Sequence, residues 1–250
     1  MVETLISDQN PLLKEVRRLA RKGTPGDDGL VLAEGPHLLD EALRSGVEIR
    51  AVILAESAGG IGTSELREAR VVQVPDSLFA QLASTESPQG VLALLRPPKW
   101  TQQDLLKGIP LVLVLDGIQE PGNAGAILRA AEAFSASGAV FLKGTVSPYN
   151  PKALRASAGS IFRLPVVLED RVPDGLAIYS ADPRATMTAS QATFREPCAI
   201  VIGGEGGGVR PEIAAQSTRI RIPTANVESL NAAVAAGILL YEARRQRDVK

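Results

Sequence analysis

The chain has 250 residues, with 27 Lys and Arg against 28 Asp and Glu, one His and one Cys. At 45% hydrophobic and 22% charged it carries apolar material for one or two packed cores and is not a disordered polyelectrolyte. Cys198 alone excludes an internal disulfide, and His37 alone leaves neither the usual zinc ligands nor a Ser-His-Asp triad with its GxSxG elbow, so no metal is expected.

The longest uncharged apolar stretch, 229–241, falls short of the roughly 20 residues a membrane helix needs. The first ten residues hold Glu3 and Asp8 and lack a leader pattern, so the expectation is a cytoplasmic protein with no membrane partner. Asn10-Pro11 places a capping amide before Pro at a first helical position. Leu12, Leu13, Val16, Leu19 and Ala20 then form one stripe, with Lys14, Arg17, Arg18, Arg21 and Lys22 filling the rest up to Gly23. Alternation follows: strand 30–33, helix 36–44, strand 49–54, helix 64–69, strand 71–74, helix 77–83, strand 90–95. This pattern predicts a small α/β domain over 1–96. Two prolines and a polar run mark 97–107 as a linker.

A second α/β domain is expected over 108–250. The continuous apolar runs 111–115 and 199–202 read as strands buried on both faces of a Rossmann-like parallel sheet. Shorter runs at 139–142 and 176–180 are further strands, and helices are expected at 124–134, 151–158, 211–216 and 230–247. Ligands of such sheets sit beyond the carboxyl ends of the strands. Three unusual loops leave those ends: 116–123, 203–210 and 223–229.

In the first loop, Asn123 opens a helix on which Ile127, Ala131 and Phe134 face inward. Arg129 faces out, one turn above Gly125 with open space beneath its guanidinium. Taken alone, this is equally well a capping Asn and a surface Arg paired with Glu132. In the second, five glycines surround Glu205. The stretch lacks the Lys-Ser/Thr of a Walker loop and the GxGxxG spacing, and its carboxylate favours a cationic or hydroxyl-bearing ligand over a phosphate. In the third, Ser229 and Asn231 head a helix that is apolar nearly all round, which argues for a subunit interface. Gly237 in its middle requires something packed close to offset its cost of roughly 1 kcal/mol.

Together the loops resemble the SpoU (TrmH-like) branch of the SPOUT RNA methyltransferases. The motifs are Asn123-x-Gly125-x-x-x-Arg129, Gly203-Gly-Glu205-Gly-x-Gly208 and Ile222-Pro followed by Ser229-Leu230-Asn231. Leu154-Arg155-Ala-Ser157-Ala-Gly159 is similar to another recurrent stretch of that family. Ala33-Glu34-Gly35 with Glu41-Ala42-Leu43, and Ser87-Pro-Gln-Gly90, resemble an L30e-like substrate-binding domain of its ribosomal-RNA members. The third motif departs from the common pattern, with Thr224 where Met is usual.

The resemblance implies a C-terminal trefoil knot, against the general rarity of knots, and a homodimer with S-adenosylmethionine as cofactor. It implies 2′-O-methylation of RNA ribose, on ribosomal RNA in preference to tRNA. Catalysis would fall to Asn123, Arg129, Glu205, Ser229 and Asn231, and the cofactor pocket to Ala181, Gly203, Ile222 and Leu230. With a net charge of −1, RNA contacts must come from local clusters: Lys14, Arg17, Arg18 and Arg21 on the first helix, and the basic tail 244–250. Two rival readings are a non-catalytic RNA-binding protein of this fold and a nucleotide-binding oxidoreductase using the glycine loop.

Overall fold

A computed structural model describes residues 3–58, 66 and 69–248; most of the helix expected at 64–69 lies outside them. The chain divides into two compact units, residues 1–99 with 147–162, and residues 100–146 with 163–250.

The first unit carries β1 (Glu3–Thr4), α1 (Pro11–Lys22), β2 (Val31–Glu34), α2 (Pro36–Arg44), β3 (Glu48–Ala55), β4 (Arg70–Val74), α3 (Asp76–Leu82) and β5 (Val91–Arg96). Its strands form a mixed sheet in the order β1-β4-β3-β5-β2. The Asn10 carboxamide accepts from Leu12 N at 3.0 Å, Pro11 follows, and Gly23 ends α1 at φ 64°, a left-handed position that favours glycine. Leu13, Val16 and Leu19 of α1 join Ile53, Val72, Phe79 and Leu92 in one core.

Residues 147–162 fall in this unit, although the sequence assigned them to the C-terminal domain. They carry the helix Pro151–Ser157. The buried Glu34 carboxylate explains the docking: it accepts from Ser84 N at 3.1 Å and Thr85 Oγ1 at 2.5 Å, and pairs with Arg155 at 3.5 Å. A buried carboxylate needs such partners.

The second unit begins in the stretch expected as a linker. There Thr101 and Asp104 form a reciprocal capping box around α4 (Gln102–Leu105). Leu105 is fully buried with Val112, Val114, Val140, Val167, Ala199 and Val201. A side chain on Gly138 would meet Leu105 Cδ2 at 2.3 Å, so glycine is needed there. One apolar anchor among polar neighbours is too little periodicity to read from sequence.

Next come β6 (Leu111–Asp116), α5 (Pro121–Ala133) and β7 (Gly138–Leu142). With the helix Pro151–Ser157 counted as α6, the unit continues with β8 (Val166–Glu169), β9 (Ala177–Ala181), β10 (Met187–Thr188), β11 (Cys198–Gly203), α7 (Pro211–Ala214), β12 (Thr218–Arg221) and α8 (Ala232–Asp248). The strands form one parallel sheet in the order β10-β12-β9-β11-β6-β7-β8. Every residue of β6 is buried, as the continuous apolar run requires. β8, β10 and β12 were not anticipated; in β12 only Ile220 is buried, which leaves too weak an apolar signal. β6 leads outward to β7, whereas its neighbour β11 leads the other way to β12. Their loops diverge at the carboxyl edge and open a crevice, the usual ligand position in such sheets. α8 returns to pack against α5 and β11.

Among the described residues, no helix is long and apolar enough to cross a membrane.

Candidate active site

The crevice is a cleft of about 570 Å³ lined by both diverging loops, including Asp116, Glu120, Asn123, Glu205 and Arg210. α5 starts earlier than expected. Glu120, not Asn123, caps it, accepting from Gly122 N at 3.4 Å, with Pro121 in the first turn. Asn123 therefore lies inside the first turn, with its carboxamide free to reach across the cleft.

The carboxamide sits in a directional chain. Asn231 Oδ1 accepts from the backbone N–H groups of Ala233 at 2.9 Å and Val234 at 3.3 Å, capping α8. Its Nδ2 donates to Asn123 Oδ1 at 3.0 Å, and Asn123 Nδ2 donates to Glu205 Oε1 at 2.6 Å. The two backbone donors fix which end of Asn231 is oxygen, and each later amide orientation follows from the one before. One side chain, Asn231, thus both caps α8 and reaches the site. Ser229 is exposed and has no hydrogen bond among the described residues.

Arg129 is exposed on α5, also without a hydrogen bond or ion pair among the described residues. The bland alternative for it fails: Glu132 pairs instead with Arg163 Nε at 2.5 Å. Gly125 is buried, so the open space expected beneath the guanidinium is not there. Successive helical positions four apart are offset by about 40°, enough to turn Gly125 inward.

The glycines of the second loop serve two purposes. A side chain on Gly203 would lie 2.1 Å from Gly208 C, and one on Gly204 would lie 2.4 Å from Gly117 O. Those two allow the chain to pack on itself. Gly206 and Gly207 face open space and leave backbone free for close approach by a ligand. Ala181, Gly203 and Ile222 end, or directly follow, the adjacent strands β9, β11 and β12, where the pairings Ile220 with Ala181 and Val201 with Ser180 set them side by side. Leu230 is half-buried just before α8.

Sequence reasoning missed Asp116 and Arg210. Asp116 is buried at 3% exposure, and its Oδ1 lies 2.7 Å from Arg210 Nε and 2.6 Å from Arg210 Nη2. Hydrogen bonding to Asp116 raises the Arg210 pKa further above its ordinary value, so the guanidinium stays charged. The available signal was a charge ending a fully apolar strand, which demands a partner.

In the first unit, Lys14, Arg17, Arg18, Arg21 and Lys22 line a groove of about 500 Å³. Arg18 pairs with Glu15 at 2.6 Å and Arg17 with Asp8 at 3.8 Å. Lys14 and Arg21 are exposed, with no ion pair among the described residues. The basic tail is more committed than expected. Arg244 pairs with Asp248 and Arg245 with Glu242, both at 2.8 Å, while Arg247 donates to the carbonyls of Ile109, Pro110, Phe194 and Glu196. Helical i,i+3 and i,i+4 spacing and bare loop carbonyls absorb those charges.

Comparison with known proteins gives a consistent result. Residues 110–241 match the SpoU rRNA Methylase family, and residues 10–93 match the MRM3-like substrate binding domain. The chain is 35% identical to an uncharacterized tRNA/rRNA methyltransferase, slr1673, of Synechocystis, over 98% of this chain and 95% of that one. It is 28% identical to the 23S rRNA (guanosine(2553)-2'-O)-methyltransferase RlmP of Bacillus subtilis, over 95% of this chain and 98% of that one. A crystal structure of AdoMet-bound rRNA methyltransferase from Sinorhizobium meliloti superposes with a TM-score of 0.84 at 27% identity, covering 98% of each chain.

Proposed function

Since the chain belongs to the SpoU rRNA Methylase family, we propose that the Asn231–Asn123–Glu205 chain and Arg129 direct methyl transfer onto RNA. The activity is S-adenosylmethionine-dependent 2′-O-methylation of ribosomal RNA ribose. The single observation carrying the site assignment is the hydrogen-bond chain, which brings residues of all three loops together at the carboxyl edge of the sheet.

The residues present fit S-adenosylmethionine. Open backbone at Gly206 and Gly207 and a carboxylate at Glu205 suit its sulfonium cation and hydroxyl groups, and small or apolar residues at Ala181, Gly203, Ile222 and Leu230 suit its flat adenine ring. When bound, the cofactor supplies an electrophilic methyl group on a sulfonium centre. Asn123 and Glu205 hold the ribose hydroxyls in place. Arg129 stabilises the developing alkoxide or orients the adjoining phosphate; a guanidinium does not act as a base in proteins, so the 2′-hydroxyl proton passes to water at the open cleft. Ser229, exposed two positions before Asn231, is left free to hydrogen-bond the substrate.

Homodimer formation belongs to the same reading. Val234, Ile238 and Tyr241 leave an apolar stripe on α8 exposed at 50%, 39% and 56%, and nothing lies within 4 Å of a side chain built on Gly237 between them. A second copy approaching there would supply the close packing that the glycine requires. The α1 groove is the RNA-binding surface, and the protein works in the cytoplasm. A trefoil knot in the second unit belongs to the same reading and follows from the family match.

Transfer of tritiated methyl from S-adenosylmethionine to ribosomal RNA, followed by mapping of the modified ribose, tests this. A label that resists alkaline cleavage at one position is expected. Label on a base, or on tRNA alone, would overturn the reading.

A further inference from the structure

Asp116 grips the glycine loop at both ends. Its main-chain oxygen accepts from Gly204 N at 2.9 Å, while its carboxylate accepts from the backbone N–H of Arg210 at 2.8 Å and from the Arg210 guanidinium. Between those points the chain closes on itself, with Gly208 N donating to Gly204 O at 2.9 Å. Glu205 lies on the resulting hoop, and its Oε1 is the atom that meets Asn123. Arg210 Nη2 also donates to Lys143 O at 2.9 Å, so the guanidinium fork ties the hoop to the loop after β7 as well.

Glycine-rich backbone has many accessible conformations, and a side chain built on Gly206 or Gly207 at the tip would meet nothing within 4 Å, so no packing holds the tip. The carboxylate of Glu205 is therefore located by the base of the hoop and not by packing at its tip. Asp116 is buried enough that its charge needs the guanidinium, and Arg210 is held on two sides, so the pair is stiff.

We propose that Asp116 and Arg210 are positioning residues for the reaction, setting the place of the Glu205 carboxylate against Asn123. Neither needs to touch RNA or cofactor. The kinetic consequence rests on the methyltransferase reading; the geometric one does not. A misplacement of about 1 Å at a reacting group costs up to about 10²-fold in rate.

The test uses Arg210→Lys and Asp116→Asn, each made in the unaltered chain and in a Glu205→Gln background. Lysine keeps the charge but not the fork that reaches both Asp116 and Lys143 O. Three readouts are taken: kcat with KM for S-adenosylmethionine, the melting temperature, and the side-chain amide resonance of Asn123. Arg210→Lys should lower kcat on the order of tenfold, with KM changed much less. It should also move the Asn123 resonance away from its position in the unaltered chain. In the Glu205→Gln background the same substitution should cost no further kcat, while its effect on melting stays the same. Losses that multiply in the two backgrounds, or an unmoved Asn123 resonance, would overturn the proposal. Should Asp116→Asn fail to fold, Arg210→Lys decides alone. If the unaltered chain transfers no methyl to RNA, the functional reading fails while the resonance still judges the pair.

Discussion

Arg129 stands apart from the other residues of the site: exposed, unpaired among the described residues, and on a helix whose buried residues are Ala124, Gly125, Ile127, Leu128 and Ala131. Its removal therefore costs little stability, within about 0.5 kcal/mol as for surface changes generally. If it stabilises alkoxide charge, Arg129→Ala lowers turnover on the order of 10²–10³-fold, leaving S-adenosylmethionine affinity and melting temperature near their original values. Arg129→Lys should not restore activity, because an ammonium does not reproduce the planar fork. Turnover, calorimetric affinity and melting measured together check this; an Ala variant that keeps most of its turnover removes Arg129 from the mechanism. At this scale Asn123, Glu205 and Asn231 were legible because each lies in a motif at a strand end. Asp116 and Arg210 were not, because neither belongs to one of those motifs and only the fold makes them partners.

Among the elements, the buried strands announced themselves. β6 and β11 are continuous apolar runs, and the loops that leave them both line the cleft. β12 and α4 escaped, one because a single residue is buried and the other because four residues make barely one turn. The α4 capping box has a measurable signature. A side-chain hydrogen bond from Lys107, then bonds from Thr101, lower the Asp104 pKa from 3.8 to about 2. A carboxylate depressed on folding stabilises the native state above its unfolded pKa, and that contribution fades as pH falls from about 4 towards 2. Urea unfolding of the parent and of Asp104→Asn should therefore differ at pH 5 and converge as pH approaches 2. A gap independent of pH would mean that the carboxylate's charge plays no part in the cap.

For the whole molecule, the expected assembly and the expected RNA surface make separate predictions. Ile238→Asp places a charge in the apolar stripe of α8 and should convert a particle of twice 26.3 kDa into a monomer by light scattering. A parent chain that is already monomeric at micromolar concentration would refute the dimer. On α1, Lys14→Gln with Arg21→Gln removes two cations that have no ion pair among the described residues. RNA affinity should drop, and the slope of log affinity against log salt should become shallower by roughly 0.7 per lost phosphate contact. An unchanged slope would locate the RNA elsewhere. Net charge alone could not have revealed this surface, since the balance over the chain is −1 and only the spacing on one helix concentrates the positive groups.

The hydrogen-bond chain at the cleft spans 82 positions between Asn123 and Glu205 and 108 between Asn123 and Asn231. During synthesis, Asn123 and Glu205 leave the ribosome well before α8, and translation at roughly 5–20 residues per second lets earlier segments begin folding first. The Asn123 carboxamide has its acceptor occupied only after Asn231 has capped the start of α8, and α8 settles only by packing on α5 and β11. Competence thus waits on α8, and a nascent fragment lacking α8 would hold the glycine hoop without an oriented site. Contacts of such sequence separation also slow folding. A newly made chain would therefore pass through an interval in which it is largely folded but unable to modify RNA.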